Sequence, residues 1–171
     1  MFSNPEKNLK TFEIGESMIV ADLGAGTGFY TVAAGKMVPR GKVYAIEIQK
    51  AFLETIIKNV KDAHLNNVEC FWGNIEKRGG TKLGDGTIDR VIVSSVFFQV
   101  EDKNSFVEEV RRILKPEGKV LIIEHSESSH LGVKSFLPKE RIIEMFEKKG
   151  FAPEREIDAG EHHYGIIMIK K

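Results

Sequence analysis

Three groups of residues in this chain have types and spacings that suit chemistry. The first is Asp22-Leu-Gly-Ala-Gly-Thr-Gly28, an acidic residue followed by glycines spaced G-x-G-x-G, directly after the apolar run that ends at Leu23. A buried strand feeding such a loop lets a ligand lie against bare backbone, and from Phe29 onward the pattern turns helical. The second is Glu47, a carboxylate closing the next apolar run, Lys42 to Glu47. Together these residues describe a nucleoside-binding pocket. The dinucleotide fingerprint G-x-G-x-x-G would need glycine at position 29, where Phe stands, so the spacing disfavours NAD and a nucleotide-dependent oxidoreductase. The third group is rich in histidine, Glu124-His125 and Glu161-His162-His163. Imidazole titrates near neutral pH and can take a proton from an acidic substrate.

The elements that position these groups alternate between strand-like and helical patterns almost to the end of the chain. That alternation predicts an α/β fold, a doubly wound Rossmann-like sheet with helices on both faces. Strands are expected at 18–23, 42–47, 68–72, 88–94, 119–124, about 152–158 and 164–170. Helices are expected at 5–12, 29–36, 50–63, from about 103 to 114 where Lys115-Pro116 ends the run, and at 138–149 with Gly150 as cap. The Gly-rich connection through Gly79-Gly80 and Gly84-Asp85-Gly86 reads as a surface loop, and Ser126 to Leu137 as a polar one. In open α/β sheets a ligand lies beyond the carboxyl ends of the parallel strands. Asp22, Glu47 and His125 all fall at such ends, and His162 and His163, in the closing hairpin, fall at the same edge.

With these motifs in place, the chain resembles the class I S-adenosylmethionine-dependent methyltransferases. The similarity runs from Asp22–Gly28 through Glu47, Gly73-Asn74-Ile75, Asp89-Arg-Val-Ile-Val-Ser94 and Leu114-Lys-Pro-Glu-Gly118. It is nearest to the small methyltransferase-domain branch that includes quinone-biosynthesis C-methyltransferases. The resemblance implies a mostly parallel sheet of seven strands with the last antiparallel and inserted beside the fifth, all within one domain over 1–171. The cofactor it implies is S-adenosylmethionine, with S-adenosylhomocysteine as product. By the same resemblance Gly24, Ala25, Gly26 and Gly28 form the loop against the cofactor, Asp22 orders that loop and approaches the methionine end, and Glu47 accepts both ribose hydroxyls. Ile48 would lie on the adenine face, Asn74 and Ile75 would read its edge, and Ser94 would contact the methionine part. Many relatives carry Asp at position 74; Asn keeps the carbonyl acceptor but loses the charge, and it also suits a plain turn. Tyr30, Phe97 and Phe98 are candidates to wall the methyl-donor pocket and face its cation, against the alternative that each belongs to the core.

One of His125, His162 and His163 is expected to act as general base or substrate orienter; solvated loop histidines are the competing reading. Carboxylate and imidazole also suit zinc or iron, but the spacing defines no metal site. A single domain of 171 residues with 42% apolar content can bury a sizeable core. Acidic and basic residues balance at 25 each, which points away from nucleic acid. Cys70 stands alone and excludes an intrachain disulfide. No apolar run is long enough to span a membrane, and 1–10 are too polar for a signal-peptide core, so the cytoplasm is expected. The expected activity is methyl transfer to a small or medium organic acceptor. Rivals are a catalytically silent S-adenosylmethionine-binding regulatory module and a protein or RNA methyltransferase. With only 1–17 before the first strand, the pocket is expected to be thinly covered, leaving the loop Ser126 to Leu137, a second subunit in a homodimer, or a macromolecular substrate to close it.

Overall fold

Successive residues of the central strands go to opposite faces, as a sheet covered on both sides requires. On the fifth strand Val120 and Ile122 join one core cluster while Leu121 and Ile123 join the other. The computed structural model describes residues 4–126 and 137–171. The helices are α1 (Pro5–Thr11), α2 (Phe29–Met37), α3 (Lys50–Asp62), α4 (Lys103–Ile113) and α5 (Lys139–Glu147). The strands are β1 (Ile19–Leu23), β2 (Lys42–Glu47), β3 (Val68–Trp72), β4 (Ile88–Ser94), β5 (Leu114–His125), β6 (Phe151–Asp158) and β7 (His163–Lys170).

The strand order is β3-β2-β1-β4-β5-β7-β6, with β7 antiparallel to both of its neighbours. This is the expected doubly wound sheet, including the last strand inserted beside β5. Phe106, Val107 and Val110 of α4 and Ile142 and Phe146 of α5 pack with Val91 and Val93 on one face. Leu9 of α1 and Ala33 and Ala34 of α2 pack with Val20 and Ile92 on the other, where Ile56 and Val60 of α3 cover Ala45. The chain winds outward from β1 in one direction and from β4 in the other, so a crevice opens between their carboxyl ends.

Two local readings change. Pro116 was expected to lie between helix and strand, yet β5 begins at Leu114. There Leu114 pairs with Ile88, regular pairing resumes only at Lys119 with Arg90, and Pro116 sits in the irregular stretch between, beside Glu117 at φ 60°. A proline is tolerated there because no ladder hydrogen bond needs its missing N–H. The Gly-rich connection after β3 does run over the surface, but Thr81 and Leu83 turn inward and are buried. The expected active-site loop at 126–137 falls outside the described residues except at its two ends.

Candidate functional site

A cavity of about 810 Å³ opens at the β1/β4 crevice. Of the residues assigned to a nucleoside cofactor, Asp22, Gly24, Ala25, Gly26, Tyr30, Glu47, Ile48, Asn74, Ile75 and Ser94 line it. Gly28 does not. It acts through its backbone, at φ 85° as the residue before α2, where an added Cβ would press Ile56 at 3.2 Å. Such left-handed geometry is what glycine permits at little cost. Gly26, also at positive φ, faces open space, and a ligand can lie directly on its backbone.

The loop is held from both sides. Gly24 and Ala25 donate N–H bonds to the Ile46 carbonyl at 2.8 and 3.2 Å, and Gly26 N–H donates to Glu47 Oε2 at 2.9 Å. Glu47 Oε1 accepts from the Ile48 and Gln49 N–H groups, both at 2.9 Å. Asp22, 2% exposed, accepts from Thr31 Oγ1 at 2.6 Å. Burial pushes its carboxyl up to about 7; the Thr31 hydroxyl works against that shift and the Glu47 charge adds to it. A buried carboxylate of this kind favours a cation beside it, such as the ammonium or sulfonium of S-adenosylmethionine.

Asn74 plays the turn role and lines the cavity as well, since its Oδ1 accepts the Glu76 N–H at 2.9 Å. The aromatic expectations divide. Tyr30 lines the cavity, but Phe97 turns into the core against Phe106 and Phe146, and Phe98 lies edge-on to His125 rather than in the cavity wall. The mouth is instead lined by Phe29, Ile48 and Phe52, at 76%, 49% and 38% exposure. Phe52 had a signal in the sequence: it is an aromatic residue lying off the apolar stripe 53, 56, 57 and 60 of its helix. Ser95, in the far wall, holds a left-handed φ of 55°, a strained conformation for a residue with a Cβ.

Glu124, 2% exposed, accepts the Val96 and Phe97 N–H groups and so fixes the turn that follows β4. Burial raises its carboxyl to about 7 against the pull of these hydrogen bonds. Of the three histidines, His163 lines the cavity. His125 pairs with it across β5 and β7, with ring centroids 4.6 Å apart, and both imidazoles are held below their ordinary value by burial. His162 sits in the turn before β7, its carbonyl accepting the Ser126 N–H at 2.9 Å. The histidines thus converge, but among the described residues no group of three His, Cys, Asp or Glu side chains is arranged to hold a metal ion.

A crevice at the switch point of such a sheet, with a glycine loop, a buried Asp22 and a Glu47 carboxylate, defines an S-adenosylmethionine-binding domain of the methyltransferase type. The chain belongs to the methyltransferase-domain family, whose pattern matches residues 14–164. It is similar to a demethylmenaquinone methyltransferase of Geobacillus sp. (strain WCH70), 29% identical over 128 residues, which are 74% of this chain and 53% of that protein. A malonyl-[acyl-carrier protein] O-methyltransferase of Halalkalibacterium halodurans is 32% identical over 106 residues, 62% of this chain and 38% of its own length. The chain therefore spans about half the length, or less, of these curated relatives. A solved SAM-dependent methyltransferase from Aquifex aeolicus superposes with a TM-score of 0.90 at 28% identity, over 99% of this chain and 91% of that one.

Proposed function

We propose that this chain moves a methyl group from S-adenosylmethionine to a small or medium organic acceptor. The observation that carries this reading is the pair of buried carboxylates, Asp22 and Glu47, in the wall of a cavity that is open above Gly26. When bound, S-adenosylmethionine supplies a methyl group on a sulfonium, ready for in-line displacement. Asp22 favours the cationic methionine end, Glu47 accepts from a ribose hydroxyl through the one lone pair left on its Oε2, and Ile48, Asn74 and Ile75 hold the base. No enzyme nucleophile is needed, so the protein's part is to align the acceptor and exclude water.

The relatives' names suggest a quinone-like ring or a malonyl thioester as acceptor. Balanced charge supports a small molecule over nucleic acid. None of the described helices is long and apolar enough to cross a membrane. The cytoplasm is the proposed setting, and a homodimer is one arrangement that would cover the cavity mouth. The test is release of S-adenosylhomocysteine from S-adenosylmethionine on adding a demethylated naphthohydroquinone or a malonyl thioester. Release identifies an enzyme, whereas binding without release with any acceptor would favour the silent regulatory module.

A further inference from the structure

We propose that His163 is the general base of the acceptor subsite, and that the acceptor carries a weakly acidic hydroxyl which His163 deprotonates as it attacks the methyl group. This rests on the S-adenosylmethionine reading above. The glycine loop, Glu47 and Asn74 put the nucleoside on the β1, β2 and β3 side of the cavity. His163 stands in the wall on β7, beyond β4 and β5, where an acceptor would sit. Its Nδ1 is buried without a hydrogen-bond partner, as are the Nδ1 atoms of His125 and His162. Buried imidazole nitrogens left unmatched in this way are costly unless something else uses them.

Burial, and after it the His125 ring 4.6 Å away, hold the His163 imidazole below its ordinary value, which favours the neutral form that can accept a proton. Among the described residues the titratable groups that act on His163 are His125 from β5 and His162 from the preceding turn, with no carboxylate. The step balances. The acceptor's O–H bond breaks and its proton goes to the imidazole of His163. The electron pair forms the new bond to the methyl carbon. The carbon–sulfur bond breaks, and its electrons stay on S-adenosylhomocysteine, a neutral thioether. His163 leaves the step as imidazolium and returns the proton to solvent.

The test uses the whole protein saturated with S-adenosylhomocysteine, with 4-nitrophenol as a chromogenic probe whose phenolate absorbs visibly. Wild type should bind the probe and ionise it below the pH at which it ionises free in solution. H163Q should keep its affinity for S-adenosylhomocysteine and bind the phenolate about tenfold or more weakly. H125Q should retain ionisation, while side-chain NMR shows His163 titrating at a higher pH once its repelling neighbour is gone. Equal ionisation by H163Q, or no ionisation by wild type, would overturn the assignment. Failure of S-adenosylhomocysteine to bind wild type would instead overturn the cofactor reading, and this inference would fall with it.

Discussion

Glu47 Oε2 accepts the Gly26 N–H at 2.9 Å, so one carboxylate joins the end of β2 to the loop that follows β1. Its other oxygen takes the Ile48 and Gln49 N–H groups, so both oxygens face backbone donors. Glutamine is therefore not a conservative replacement, because its amide NH₂ must oppose at least one of those N–H groups. Glu47→Gln should cost about 1–3 kcal/mol of stability. Urea denaturation would measure this, and an unchanged midpoint would show that the carboxylate does not tie the loop.

The raised pKa of Asp22 predicts that binding of the proposed cofactor depends on pH. Its folded value, about 7, lies above the ordinary 3.8. Its contribution to stability is thus fully present below the unfolded value and is lost as pH rises through about 7. A bound cation reverses the preference by favouring the carboxylate. Affinity for S-adenosylmethionine should therefore fall as pH drops below about 7, by up to about tenfold per pH unit, with proton release on binding. Calorimetry in buffers of different ionisation enthalpy would detect the released proton. Asp22→Asn should flatten the profile, and a profile as steep in the variant would assign the effect to another group.

Glu124 gives a second test of a buried carboxyl. Its Oε1 accepts both Val96 and Phe97 N–H, a role that a glutamine carbonyl can fill. Glu124→Gln should be near neutral overall and should gain on wild type as pH rises through about 7, where the wild-type carboxyl must ionise in its buried site. Glu124→Ala, which strands both N–H groups, should cost about 2–4 kcal/mol. Thermal denaturation at two pH values separates the variants, and equal losses for Gln and Ala would remove the capping role.

Trp72 braces Ile48, a wall residue of the proposed nucleoside subsite, without lining the cavity itself. Its Nε1–H donates to the Ile48 carbonyl at 2.8 Å. Trp72→Phe should weaken S-adenosylmethionine binding about threefold to tenfold. As the single tryptophan of the chain, it should also change its fluorescence when ligand binds in the wild-type protein. A silent fluorescence signal together with an unchanged affinity would place the base elsewhere.

Features set by local pattern are legible in the sequence. Alternation of apolar runs and helical stripes marks the sheet and its layers, and the glycine spacing with Glu47 marks residues that meet in one cavity wall. What was not legible depends on contacts between distant residues. Phe97 follows a strand end just as a pocket residue would, and its inward turn is decided by packing on Phe106 and Phe146. Pro116 reads as a boundary because pattern alone does not reveal that β4 leaves slack in its pairing with β5. Thr81 is drawn inward by Glu109, which accepts its hydroxyl at 2.6 Å and pairs with Arg112 at 2.8 Å, a network joining residues far apart in sequence. The meeting of His125 and His163 was foreseen from topology. The choice of His163 as the one in the cavity wall was not, because it depends on the register of β5 against β7.

The central claim is that Glu47 and the glycine loop form an adenosyl-cofactor site. It is tested most directly by calorimetric titration of the protein with S-adenosylmethionine, S-adenosylhomocysteine and NAD, beside Glu47→Ala. The first two should bind, NAD should not, and the variant should bind both adenosyl ligands about tenfold or more weakly. Binding of NAD, absence of both adenosyl ligands, or undiminished affinity in Glu47→Ala would contradict it.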